Sequence, residues 1–104
     1  MTTRFRVEIT ASAERDVRSI RATIAADKPR AAEKWGREIT RRIRSLKSMP
    51  LRHEVIPEAD ELGVDYRHII FGNYRAIFRI HGNRVFILRV IHAARLLDQS
   101  ILHG

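Results

Sequence analysis

The sequence predicts an α+β domain with the order β-α-α-β-β-β, in which a helical hairpin packs on one face of a small, mainly antiparallel sheet. Three observations carry this. Apolar residues recur twice at helical spacing in the first half, the last third turns to β-branched and aromatic runs separated by Gly-Asn turns, and a short stretch near the start alternates apolar with charged residues. A chain of 104 residues has the size of one domain, spanning 1–104, with one modest core.

Phe5, Val7 and Ile9 alternate with Arg4, Arg6 and Glu8, the period of a half-buried strand. Thr10 or Ser12 is placed to cap a following helix. Ala13, Val17, Ile20 and Ile24 then fall on one helical stripe, and Asp27-Lys28-Pro29 breaks and restarts the pattern, with Pro29 suited to a first helical turn. A second stripe of Ala32, Trp35, Ile39, Ile43 and Leu46 ends before Met49-Pro50. Residues 51–65 hold five acids against one arginine, and Pro57 and Gly63 mark them as a loop. Tyr66–Phe71 and Tyr74–Ile80 read as strands joined by a two-residue turn at Gly72-Asn73, and His81-Gly82-Asn83 turns the chain again. Arg84–His92 is almost wholly apolar, as a central strand covered on both faces would be. Ala93–Leu102 is expected to be a short C-terminal helix or tail.

Twenty Lys and Arg stand against twelve Asp and Glu, a net charge of +8, and seventeen of the twenty are Arg. A guanidinium pairs two oxygens at once, so the charge points either to an anionic partner, nucleic acid or an acidic protein segment, or to a solvated surface. Cysteine is absent, which excludes disulfides and thiolate chemistry. The five His, at 53, 68, 81, 92 and 103, lack metal-ligand spacing, and no glycine motif for phosphate is present, so neither metal nor cofactor is expected. The start lacks the apolar run of a signal peptide and no stretch has the length of a membrane span, which leads to a cytoplasmic protein with no membrane partner as the expectation.

Residues 66–95 carry a specific pattern: Arg67, three apolar residues, Gly72-Asn73-Tyr74-Arg75, three apolar residues and Arg79, then Ile87-Leu88-Arg89-Val90-Ile91-His92-Ala93-Ala94-Arg95. This resembles the RelE/ParE superfamily of toxins from type II toxin–antitoxin systems, whose element order also matches. The resemblance implies a cognate acidic antitoxin, encoded beside the toxin, that wraps and neutralises it in a hetero-oligomer. It implies one of two activities. A ParE-like toxin poisons DNA gyrase by protein–protein interaction. A RelE-like toxin cuts mRNA on the ribosome. A third possibility is a homologue that binds antitoxin without being toxic.

Strand alternation puts Tyr74, Ala76, Phe78 and Ile80 on one face and Arg75, Ile77 and Arg79 on the other. The apolar face should take the helices, leaving Arg75, Arg79 and Arg89 on an open, anion-binding face. Arg67 and Arg95 extend this basic set, and Leu96 and Leu97, with Ile101 and Leu102, form an apolar cluster in the tail that either covers the core edge or is released to engage a target. If the chain were a nuclease of the RelE type, Arg75 would stabilise charge, Glu54 or Glu58 would be the base, and His92 would serve as acid or base. The alternation also allows His92 to be a structural residue at a strand end. Ala93 follows it where related nucleases often carry an aromatic residue, and the lysine cluster of such sites is missing, since no Lys occurs after Lys47. These departures favour the ParE-like reading.

Overall fold

The computed structural model of the chain describes residues 4–102; Met1–Thr3, where a leader was sought, and His103 and Gly104, the end of the tail, lie outside them. Strand β1 (Arg6–Ile9) leads into the hairpin of α1 (Ala11–Ala25) and α2 (Pro29–Arg44). Two 3-10 turns, Ser45–Lys47 and Pro50–Arg52, and a one-turn helix α3 (Ala59–Leu62) connect it to β2 (Arg67–Phe71), β3 (Tyr74–His81) and β4 (Arg84–His92); α4 (Gln99–Leu102) ends the chain. The sheet order is β1-β4-β3-β2, with β1 parallel to β4 and the other pairs antiparallel. The predicted architecture is the observed one.

Local chemistry sets the boundaries. Thr10 caps α1: its Oγ1 accepts from the Ala13 N–H at 3.2 Å and donates to the Ile87 carbonyl at 2.8 Å. One side chain thus starts the helix and ties it to the middle of β4. Pro29 sits in the first turn of α2, where its missing N–H costs nothing. Gly72 and Gly82 open the two hairpin turns with φ of +58° and +60°, conformations a side chain would strain.

Two apolar clusters sandwich the sheet. The larger lies under the helical hairpin and contains Ala13, Trp35, Ile39, Ile43, Leu46, Ile69, Ala76, Phe78, Val85, Ile87 and Val90. Both helical stripes point into it as predicted, with Val17, Ile20 and Ile24 packed partly buried at its margin. The second cluster, Ile56, Ala59, Tyr66, Ile77, Ile91, Leu97 and Ile101, covers the opposite sheet face. That face was expected to be open, and residues 51–65 were expected to be a plain loop. Neither holds. Four of the five acidic residues of this segment stay outside, Glu58 being the exception, while Ile56, Ala59, Leu62 and Val64 turn inward, and the C-terminal segment closes over them.

Strand β4 also departs from simple alternation. Ile77 pairs with Arg89 and Phe78 with Ile87, so Leu88 is an extra residue, a β-bulge. It places Ile87 among the residues under the helices and Ile91 among those on the far side, whereas unbroken alternation would put both on one face.

Trp35 is 9% exposed and meets the Tyr74 ring edge-on at 5.5 Å. Trp35→Ala should therefore cost about 3–5 kcal/mol of stability. Thermal or urea unfolding checks this, and an unchanged melting curve would show that Trp35 packs against nothing that matters.

Candidate functional site

The strand face opposite the hairpin gathers most of the predicted site residues, in an arrangement different from the one expected. Arg75 is 3% exposed, because the second apolar cluster covers it. A buried guanidinium needs partners for its donors. Glu58, just before α3, supplies two oxygens, with Oε2 at 2.5 Å and Oε1 at 3.4 Å. The Arg95 carbonyl accepts a further bond at 2.5 Å, and His68 Nδ1 accepts another at 3.2 Å. Because arginine only donates, Nδ1 is the acceptor and the His68 proton sits on Nε2, which donates to Glu54 at 2.9 Å. The result is a chain of polar contacts, Glu54–His68–Arg75–Glu58, running from solvent into the interior.

Glu58 is held further by the Leu97 N–H, which donates to Oε2 at 2.8 Å. Its carboxyl is lowered to about 2, chiefly by the hydrogen bond from Arg75, against the opposing effect of burial. A carboxylate this acidic is a poor general base near neutral pH. Arg75 is likewise enclosed instead of presented to a phosphate. Glu54 is exposed and touches only the outer end of the chain, at His68.

His92 does not join this group. It pairs in register with Tyr74, while Arg75 pairs with Ile91, and neighbouring pairs along a ladder face opposite sides. His92 is exposed, meets the Tyr74 ring edge-on at 5.7 Å, and accepts from the Ala94 N–H through Nδ1 at 3.1 Å. Three of the four residues named for nuclease chemistry are thus linked, and the fourth lies across the sheet.

Of the other predicted arginines, Arg89 and Arg67 are bound within the fold, whereas Arg79 keeps the sheet face expected for it. Arg89 grips Asp16 of α1 through Nε at 2.7 Å and Nη2 at 2.9 Å, and its Nη1 donates to the Ile101 carbonyl. Asp16 accepts in addition from the Val90 N–H at 2.9 Å, just past the bulge. Arg67 donates to the carbonyls of His53 at 2.6 Å and Leu51 at 3.3 Å, strapping the connecting segment to β2. Arg79 is half-buried beside a shallow hollow lined with His81, Phe86 and Leu88. Arg95 is exposed and borders a small hollow shared with Asp16, Tyr74, Arg89 and His92.

The tail pair divides. Leu97 is 3% exposed and belongs to the second cluster, whereas Leu96 is 73% exposed. Release of this cluster to a target was one of its two expected roles. Instead Arg75, Glu58 and Arg89 anchor the backbone of Arg95, Leu97 and Ile101, so the tail is part of the core. The partner roles of Asp16 and His68 are not legible in the sequence. An acid within the otherwise apolar side of a helical stripe was the available signal for Asp16.

The Glu58–Arg75 pair should mark the acid limb of stability. The carboxyl is depressed when folded, so its contribution is present above about 4.5 and is lost as pH falls toward about 2. Glu58→Gln should flatten that part of the stability–pH profile while lowering stability at neutral pH. Parallel acid limbs in parent and variant would show that the pair contributes nothing.

A model of the ParE toxin of the parDE type II toxin–antitoxin system matches residues 7–97. No curated protein sequence matches the chain. Among solved structures, the chromosomal ParDE toxin–antitoxin system from P. aeruginosa aligns with a TM-score of 0.70 at 18% identity, covering 88% of this chain and 98% of that one. The toxin–antitoxin complex RelBE2 from Mycobacterium tuberculosis aligns with a TM-score of 0.58 at 24% identity, covering 86% and 98%. With the family pattern extending over β1, both helices, the sheet and the start of the tail, this chain belongs to the ParE toxin family of type II toxin–antitoxin systems.

Proposed function

We propose that the chain is a ParE-like toxin that acts on DNA gyrase by protein–protein interaction and is neutralised by a cognate acidic antitoxin. The observation that carries this reading is the fate of the nuclease groups. Arg75 and Glu58 are consumed in a buried ion pair that holds the tail, and His92 lies on the other side of the sheet. Cleavage by 2′-hydroxyl attack needs a base, a charge stabiliser and a proton donor converging on one phosphate. These residues do not offer that convergence.

Two surfaces fit an antitoxin. Ile9, Val17 and Ile43, with Glu14, Arg18 and Thr40, line a hollow of about 210 Å³ between β1 and the hairpin, suited to the apolar side of a helix. Strands β1 and β2 end the sheet on either side, where an extended segment adds by main-chain hydrogen bonds. The basic surface raises the rate at which an acidic partner arrives, while apolar contacts set how long it stays.

Purified chain should inhibit supercoiling by gyrase and leave programmed ribosomes with intact mRNA. Arg75→Lys and His92→Ala, chosen to test the chemistry, should separate. His92→Ala should retain growth arrest on induced expression, and Arg75→Lys should lose it only to the extent that it lowers the melting temperature. Defined mRNA cuts on ribosomes, abolished by His92→Ala in a folded protein, would overturn the gyrase reading in favour of the RelE-like nuclease. Normal growth on induction, with gyrase unaffected, would leave only the antitoxin-binding role.

A further inference from the structure

The outer side of the helical hairpin carries a groove that neither core nor ion-pair network uses. Arg21 of α1 and Arg37, Arg41 and Arg44 of α2 line it around Gly36, Thr40 and Glu33, enclosing about 520 Å³. A continuation toward the hairpin turn adds Arg18. Five guanidinium groups thus line two adjoining hollows that have Arg21 and Glu33 in common, Glu33 being the single carboxylate of either lining.

Three features make this a built surface. Arg37, Arg41 and Arg44 stand at i, i+4 and i+7, on one side of α2. Arg21 lies directly over Gly36: a Cβ there would sit 2.8 Å from its Nε, so the missing side chain of Gly36 seats the guanidinium between the helices. Among the described residues, Arg41 is the member of the set that makes an ion pair, with Glu38, and that pair is exposed. An exposed pair of this kind is worth little and exchanges readily for another anion.

We infer that this groove is a docking surface for the phosphate backbone of double-stranded DNA. A peptide partner gains most of its affinity from apolar anchors seated in pockets. The main hollow here offers four guanidinium groups, one carboxylate, a threonine and a glycine, whereas the apolar side chains Ile9, Val17 and Ile43 line an adjoining hollow that meets it at Thr40. The occupant suited to the arginine groove is therefore one recognised by charge and by paired oxygens. From Arg37 to Arg44 the helix rises about 10 Å, an interval in which one strand of a duplex presents about three phosphates. Arg18 and Arg21 face the same run from the opposite helix. The contact is to the backbone, so it carries no sequence preference of its own.

The test is equilibrium binding of the purified full-length chain to a random-sequence 20-base-pair duplex across a salt series. Log affinity should fall with log salt at about −0.9 per phosphate neutralised. Arg37→Gln/Arg41→Gln/Arg44→Gln should weaken binding by about tenfold or more and shorten that slope by two to three such steps (about −0.9 each). A charge-matched control, Arg6→Gln/Arg52→Gln/Arg84→Gln, removes exposed arginines outside the groove and should change both far less. Gly36→Ala, which displaces Arg21, should lie between the two, and circular dichroism verifies that each variant is folded. Equal losses in groove and control variants would reduce the effect to net charge and overturn the inference. So would the absence of duplex binding at low salt. Displacement of the duplex by an equal concentration of polyglutamate would assign the groove to an acidic protein instead.

Discussion

The ion pair between Arg75 and Glu58 joins the parts of this molecule that its sequence keeps apart. Arg75 stands in β3, in the middle of the sheet, and Glu58 in the segment before α3, with the two side chains 4% and 11% exposed. Through it the central strand holds the Leu97 N–H and the Arg95 carbonyl, and with them the C-terminal segment. A buried pair is not in itself a source of stability, since desolvation offsets much of the attraction. Its consequence is arrangement: the connecting segment and the tail bring Glu58 and the Arg95 carbonyl to the Nη atoms of that guanidinium, while its buried Nε has no partner among the described residues.

The same logic operates on the other side of β4. The bulge at Leu88 shifts the strand so that Arg89 reaches Asp16, and Asp16 also takes the Val90 N–H. Because Thr10 fixes the start of α1 against Ile87 and Leu88, Asp16 arrives at this place one and a half turns later. Arg75 and Arg89 at the sheet thus serve the fold, while the arginines of the hairpin groove remain turned to solvent. The basic residues thus include two sets with different roles, one held by carboxylates and carbonyls, the other gathered around Gly36, beside further exposed arginines such as Arg6, Arg52 and Arg84.

Much of the fold was legible because its signals are local. The stripes of Ala13–Ile24 and Ala32–Leu46, the alternation at Phe5–Ile9 and the glycine turns each declare themselves within a few residues, and element order follows from them. The second apolar cluster was not, since residues 51–65 are dominated by their acids and Ile56, Leu62 and Val64 are too sparse to show a period. The ion pairs depend on contacts across 17 and 73 positions, and a bulge exists only relative to a partner strand. Hence Arg75 and Arg89 were read as open when the fold encloses them. Of the residues considered for chemistry, Arg75, Glu58 and Glu54 lie in one chain of polar contacts, and what that chain holds is visible only with the cover over it.

The central claim is that this buried charge holds structure and does no chemistry. A double-mutant cycle on the pair tests it directly. Arg75→Met and Glu58→Leu should each destabilise the protein by about 3–5 kcal/mol, because each strands its partner's charge. The double variant should recover much of that loss, as apolar replacements of a buried pair often do, and should still arrest growth when induced. A double variant that folds with parental stability yet is inert would contradict the account and make the pair part of the toxin's action.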